Sequence, residues 1–350
     1  MPNSVDLFDL RTMLRALEQR KPPRTFFLDM FFAMTEVHDT ATVDIDIIKG
    51  TRRMAPFVRP TLAGKLIERQ GYTTSTYKPP YIKPKMVTTA AEIFKRMPGQ
   101  IIYGGNMSPQ QRAAEQLGKD LADLEDMIIR REEWMAAKGI TSGQLRVIGE
   151  GVDDTITFGM SATHLPTLSG GDLWSAPTTA TPIDDLRAWK RTVIQDSGVA
   201  PTDVVMGPAA YDAFMKCNQV SDKTKSLFDF LRLTLGQIEP QALPNGTTYI
   251  GRITELGLDM WLHEDWYISD FDSSVEESMM PTNKVLMGSR NARTTRHYAA
   301  IQDLEASGAL KRFPKTWIEK DPSAQFLVVQ SAPLMIPHQV DAFLCAQVLA

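Results

Sequence analysis

Two rhythms of apolar residues run along this chain, and the switch between them divides it. Near the start, Leu7, Leu10, Leu14 and Leu17 recur at helical spacing, with Ser4 placed as a cap and Asp6 and Asp9 at the N-terminal end. Pro22-Pro23 stops that helix. A dense aromatic run follows, Phe26-Phe27-Leu28-Asp29-Met30-Phe31-Phe32, which must be buried against either the protein's own core or a neighbouring subunit. The period then changes to two. Thr42-Val43-Asp44-Ile45-Asp46-Ile47 reads as a strand. Beyond it, up to residue 96, β-branched residues and tyrosines are broken by Pro56, Pro60, Pro79, Pro80 and Pro84, which supports extended, hairpin-like chain over helix.

Helical spacing returns more strongly at Ser108-Pro109-Gln110-Gln111, a capping-box pattern with proline at the first helical position. Ala114, Leu117, Leu121, Leu124, Ile128 and Met135 keep one stripe, and Gly139 is placed to stop the helix. Ser108 to Lys138 would measure roughly 46 Å at the rise of an α-helix, long enough to serve as a spine. Residues 161–182, rich in Ser, Thr, Gly and Pro, read as a linker or exposed loop. A second helix opens at Thr181-Pro182, turns Ile183, Leu186, Val193 and Ile194 inward, and closes at Gly198. Val204-Val205-Met206 is a short buried strand, Gly207-Pro208 starts another helix, and two further helical segments are expected up to Leu235. Strands are then expected at Thr247–Ile253, Leu258–Leu262, Trp266–Ile268, Lys284–Gly288, His297–Ile301 and Phe326–Ala332. Helices and strands mix without a strict βαβ rhythm, so the fold class is α+β.

Charge sharpens this division. From Ile45 to Arg96 eleven Lys or Arg face three acidic residues, a net +8, which leaves −12 for the remainder of a chain whose total is −4. A basic extended arm is joined to an acidic body. The overall negative balance argues against a protein that mainly coats nucleic acid. The hydrophobic share of 43% and charged share of 23% suit a globular chain of 350 residues. No apolar run approaches the ~18 residues of a membrane span, and Met1-Pro2-Asn3-Ser4-Val5-Asp6 lacks the layout of a secretory signal. Cys217 and Cys345, far apart and outside any zinc-type spacing, read as two reduced, buried thiols.

Catalytic patterns are missing: there is no P-loop, dinucleotide fingerprint, HExxH or GxSxG. His263-Glu264-Asp265 is the nearest approach to a metal-hydrolase cluster, with His297 and His338 elsewhere. Consecutive residues of a strand point to opposite faces, so a solvated turn between strands accounts for them better than a metal site. Asp184-Asp185 sits where a helix start favours negative charge. The expectation is no catalytic residue, no cofactor and no metal. A nucleic-acid-binding protein using the basic 45–96 segment is the alternative, although that segment shows no known fold for groove or base readout.

The C-terminal third carries a resemblance. Arg312-Phe313-Pro314-Lys315-Thr316-Trp317, Asp321-Pro322 and Gln330-Ser331-Ala332-Pro333-Leu334-Met335 resemble the closing segment of the lambda-type tailed-phage major head protein family. Val285-Leu286-Met287-Gly288, Ala292-Arg293 and Ile301-Gln302-Asp303 fall upstream in the family's order, and Phe57-Val58-Arg59-Pro60 and Tyr81-Ile82-Lys83-Pro84-Lys85 are similar to its extended loop. The resemblance runs from about Phe26 to the C-terminus and is weakest from 140 to 240. It implies the Hong-Kong-97-type capsid fold, with an N-terminal arm over 1–40 and an extended loop with flanking strands over 41–98. A peripheral domain over 99–160 would hold the spine helix, 108–138, and an axial domain would span 161–311. The C-terminal segment, 312–350, would return to the peripheral domain and end at the axial domain.

The same resemblance implies a structural subunit, not an enzyme, that self-assembles into hexamers and pentamers of an icosahedral virion head. Assembly would take place in the host cytoplasm. Portal, scaffold and decoration proteins and non-specific double-stranded DNA on the inner face are the implied partners, with no membrane. Candidate inter-subunit contacts are Phe26, Phe27 and Phe31 of the aromatic run, and Arg52, Arg53, Arg59, Tyr81, Lys83 and Lys85 of the basic arm. Arg312, Lys315 and Trp317 of the closing segment complete the set.

Overall fold

The structure is a computed structural model that describes residues 13, 25–47, 54–66, 73–89, 109–220, 241–243, 246–268, 275–306, 308–321 and 323–350. The helix expected from Leu7 to Leu17, the start of the spine at Ser108 and the helical segment expected towards Leu235 therefore lie wholly or partly outside the described residues. The aromatic run folds into a short helix, α1 (Phe27–Phe31), followed by strands β1 (Met34–Val37), β2 (Val43–Ile47), β3 (Thr73–Tyr77) and β4 (Lys85–Thr89). The spine, α2 (Pro109–Ser142), spans 34 residues, and a hairpin of β5 (Gln144–Gly149) and β6 (Val152–Thr157) turns back from its end.

The spine runs four residues past Lys138 because Gly139 does not stop it. A Cβ at Gly139 would lie 3.4 Å from the Phe158 ring and 3.8 Å from the Met335 carbonyl oxygen, so the glycine permits close packing inside the helix. The left-handed residue that ends the helix is Gly143, at φ +66°. The expected apolar stripe is present: Leu117, Leu121, Leu124 and Ile128 are buried with Leu327 and Val329. Those two lie on β16 (Ser323–Gln330), which pairs on one side with β15 (Phe313–Lys320) and on the other with β4. Further along, Met135, Ala136, Ala137 and Ile140 enter a second core with Leu334, Met335 and Ile336 of β17 (Pro333–Pro337).

The aromatic run is also spent in that second core. Phe26, Phe27, Leu28, Phe31 and Phe32 are all buried there, which resolves in favour of the protein's own interior the choice left open by the sequence. Glu133, from the middle of the spine, fixes α1 in place. Its carboxylate accepts the backbone N–H groups of Phe26 at 2.8 Å, Phe27 at 2.6 Å and Leu28 at 3.0 Å. A five-residue helix cannot satisfy these N–H groups itself, and the carboxylate does so where water cannot reach.

A third core sits around a six-stranded sheet. It contains β7 (Asp203–Met206), β8 (Gln241–Leu243), β9 (Thr247–Ile253), β10 (Leu258–His263), β13 (Lys284–Gly288) and β18 (Leu344–Gln347), in the order β18-β13-β7-β10-β9-β8. Helices α3 (Pro182–Ser197) and α4 (Pro208–Lys216) contribute Leu186, Val193 and Phe214 to it. Proline opens both helices, and Gly198, at φ +80°, closes α3 as its sequence predicts. A small pair, β11 (Trp266–Ile268) with β12 (Glu276–Ser278), and the three-stranded sheet β1-β14-β17, with β14 at Thr294–Tyr298, complete the described architecture.

Three expectations change in position or kind. The strand expected at His297–Ile301 starts earlier and ends at Tyr298, and the one expected at Phe326–Ala332 is Ser323–Gln330. Residues 161–182 are not a free linker: Trp174 and His164 are buried, and two backbone bonds, Leu168 N–H to Gln347 O at 2.9 Å and Trp174 N–H to Val348 O at 3.1 Å, lace the segment to the C-terminal strand. Its polar composition hides two anchors. Cys217 and Cys345 are both free and buried, as expected.

Two outcomes follow for the spine. Leu121→Asp places an unpaired charge between α2 and β16, at a cost of several kcal/mol, and should yield insoluble or protease-sensitive protein; soluble, protease-resistant protein would show that the stripe is not buried. Burial pushes the Glu133 carboxyl up from 4.5 to about 7 against the opposing pull of its three N–H donors. A raised folded value means that the folded state holds this proton longer, so this group's contribution to stability is fully present below pH 4.5 and is lost as pH rises through about 7. The decline should be about 3 kcal/mol. Glu133→Gln, which cannot ionise, should flatten this part of the profile of thermal midpoint against pH from 5 to 8.

Candidate inter-subunit surface

The three-stranded sheet β15-β16-β4 has two unlike faces because strand side chains alternate. Its inner face, with Leu327 and Val329, lies on the spine. In register across the sheet, Trp317 of β15 pairs with Phe326 of β16, which pairs with Val87 of β4. These three share one face. The Trp317 and Phe326 rings stack with centroids 5.2 Å apart, and the Lys85 ammonium lies 5.0 Å from the centre of the Phe326 ring. Trp317 at 40% and Val87 at 43% relative exposure leave this aromatic ladder open to solvent.

A second apolar surface lies in the chain between β2 and β3. In residues 54–66 a turn is closed by the Leu62 N–H on the Arg59 carbonyl at 2.9 Å. Met54, Phe57, Leu62 and Leu66 of this segment are exposed, Phe57 fully. Side chains of this size in open water on one short stretch mark a contact surface. The segment's own helix and strand content is nil, so it offers the apolar groups without a core of its own.

The structure distributes the sequence-predicted contact residues unevenly. Arg59, Tyr81, Lys83, Lys85 and Trp317 are exposed. Arg52 and Arg53 lie outside the described residues. Phe26, Phe27 and Phe31 are interior, so burial leaves them no surface to offer a neighbour. Lys315 is tied within the subunit to Asp303 and Glu305, both at 3.2 Å.

Arg312 is also withdrawn from the surface. Its guanidinium bonds Glu125 at 2.9 Å and Glu132 at 2.8 Å, two carboxylates of the spine, and donates to Ser331 Oγ at 2.9 Å. Burial alone would lower its proton affinity, but Glu132 and Glu125 hold it well above the ordinary range. The resemblance of the closing segment made Arg312 a contact candidate. The signal it passed over was Glu125 and Glu132, seven residues apart on one face of a long helix.

No catalytic constellation emerges among the described residues. His263 is not part of a solvated turn: it is buried against the rings of Phe26 and Phe27, with centroids at 5.2 and 4.8 Å, and burial pushes it down to about 4. Glu264 is exposed, its backbone N–H paired to the Gly246 carbonyl, and Asp265 accepts at its backbone oxygen from Met279. The side chains of the triplet do not converge on a shared ion. No described helix is long and apolar enough to cross a membrane.

The fold and its surfaces define a shell-building subunit, a structural protein and not an enzyme. A capsid protein of an Escherichia coli CFT073 prophage superposes with a TM-score of 0.71 at 20% identity, over 98% of this chain and 99% of that one. A cyanophage A-1(L) capsid subunit superposes at 0.50 with 10% identity, covering 95% and 94%. In sequence, the major capsid protein of Escherichia phage lambda is 28% identical over 98% of this chain and 99% of its own length, and that of Escherichia phage N15 is 28% identical over 91% and 92%. With residues 9–348 matching the profile of phage major capsid protein E, the chain belongs to that family of tailed-phage major capsid proteins. The resemblance stated from the sequence and the Hong-Kong-97-type fold that it implied both hold.

One consequence of the Arg312 geometry can be measured. Arg312→Ala removes the buried cation that bridges Glu125 and Glu132 and should destabilise the subunit by about 3–5 kcal/mol in a denaturant titration. A loss under 1 kcal/mol would mean that the network is solvated.

Proposed function

We propose that the chain forms the hexamers and pentamers of an icosahedral head shell by laying its extended loop across a neighbouring subunit. The observation that carries this reading is the row of large apolar side chains on residues 54–66, with Phe57 fully exposed and Met54 and Leu66 nearly so. The Trp317–Phe326–Val87 ladder, beside Lys85, is a second surface suited to a neighbour. Apolar area of this kind needs cover, and a second copy of the chain supplies it at every interface of a closed shell. Charge adds direction: the arm segment at +8 is attracted to a body at −12, whereas two identical arms repel. Each exposed ion pair contributes only ~0–1 kcal/mol, but a ring of subunits repeats it, and the weak terms keep early contacts reversible. The resemblance to lambda-type head proteins extends this reading to portal, scaffold and decoration proteins as assembly partners, to packaged double-stranded DNA on the inner face, and to assembly in the host cytoplasm.

Two experiments test the docking. Phe57→Ser combined with Leu62→Ser removes apolar groups that are exposed in the subunit, so circular dichroism and the thermal midpoint should be little changed while shells disappear from negative-stain images. Normal shells from this variant would sink the loop-docking reading. Reversing Arg52, Arg53, Lys83 and Lys85 to Glu separates two roles for the charge. Failure of empty-shell assembly by a folded subunit supports arm-to-body docking, and wild-type assembly should then weaken with salt, since screening sets in beyond ~8 Å at physiological ionic strength. Normal empty shells with impaired DNA packaging would assign the charges to the DNA-facing side instead.

A further inference from the structure

Strand β1 runs parallel to β14 in a register that sets Glu36 opposite His297. His38 follows β1 directly and is held in line by its backbone N–H on the Tyr298 carbonyl at 2.8 Å. The imidazoles of His38 and His297 stack with centroids 5.1 Å apart, and Nε2 of His38 lies 2.8 Å from Nδ1 of His297. The Glu36 carboxylate reaches the same Nδ1 at 3.6 Å. On the other side of the His297 ring, Nε2 meets His338 Nε2 at 3.2 Å. Two imidazole nitrogens and a carboxylate oxygen therefore lie within 4.8 Å of one another, with a third histidine behind the buried one.

We propose that Glu36, His38 and His297 form a binding site for a divalent transition-metal ion of the zinc class, which clamps the first strand of the arm to the sheet of the body. The donor set suits that class: imidazole nitrogen selects zinc-like ions over magnesium and calcium, which take oxygen ligands. Ligands at the ~2.0–2.1 Å bond lengths of a tetrahedral zinc lie about 3.3 Å from one another. The Glu36 oxygen is already near that spacing from His297 at 3.6 Å, and His38 Nε2 has to draw back from 2.8 Å. All three donor atoms lie within 4.8 Å, so rotation of the exposed Glu36 and half-buried His38 side chains completes the set. Three protein ligands leave the fourth position to water.

Proton bookkeeping also closes. Two ring nitrogens at 2.8 Å share one proton, so one of the rings donates to the other. The metal takes the place of that proton, which moves to the far nitrogen of the ring that carried it. On His297 the far nitrogen is Nε2, whose N–H then donates to His338, the outer partner that a metal-bound imidazole ordinarily has. His338 is thus a positioning residue. The clamp joins points 259 residues apart in the chain, at the root of the extended loop.

Full-length chain stripped of metal is titrated with zinc at pH 7.5 against a chromophoric chelator, and in parallel with cobalt. One zinc per chain is expected, with the visible absorption of four-coordinate cobalt and a rise in thermal midpoint on zinc addition. His38→Ala and Glu36→Gln should each weaken zinc at least tenfold without changing the circular dichroism, and His338→Ala by about tenfold. Zinc binding below one per chain, or an affinity unchanged in Glu36→Gln, would overturn the assignment. Glu36 is exposed, so that variant decides the matter even if His38→Ala folds poorly.

Discussion

One buried carboxylate settles where the first part of the chain must lie. Glu133 sits on the spine, and the three N–H groups that it accepts belong to residues more than a hundred positions earlier. Removing a carboxylate from water is costly, and three directed hydrogen bonds at a helix start offset that cost at one position and in one orientation only. With α1 fixed, β1 emerges beside β14, and the chain leaves the body through β2 at a defined place. The arm's origin is therefore set by polar geometry, while the aromatic side chains around it supply the bulk of the apolar burial.

The spine also separates what the subunit keeps from what it shows. Its N-terminal half is covered by β16, whose opposite face carries the exposed ladder, and its C-terminal half is sunk among α1, β17 and Phe158. Large apolar groups exist in both places, and those on the ladder and on residues 54–66 face water. A subunit with all of its apolar surface inside would be a good monomer. This one leaves part of its apolar surface in water.

Much of the body could be read from the sequence because local signals and tertiary packing agree there. Thr247–Ile253, Trp266–Ile268 and Lys284–Gly288 are short β-branched or aromatic runs between turn residues, and they are strands with those bounds. The stripe from Leu117 to Ile128 is what a helix lying on a sheet requires. Misreadings arose where one residue type serves two physical ends. Gly139 looks like a helix stop, but the missing side chain makes room for Phe158. Polar residues 161–182 look like a linker, yet their backbone is tied to a strand about 180 residues later, a pairing that no local pattern reports. Arg312 looks like a contact residue of the closing segment until two spine carboxylates meet it. For the candidate contact surface, charge pointed to the arm and the family resemblance to Trp317, but which aromatic groups are buried depends on the long-range packing of α1.

The two cysteines bear on the particle's life outside a cell. Both thiols are sealed in the core, and burial pushes Cys345 up to about 12 and raises Cys217 as well. The reactive species in disulfide exchange and sulfur oxidation is the thiolate, which neither residue supplies at neutral pH. In a shell made of this subunit, neither position offers a thiolate for covalent links between copies or for sulfur oxidation. Its durability is therefore independent of the redox state of its surroundings, and reductants should neither loosen it nor be needed to keep it whole.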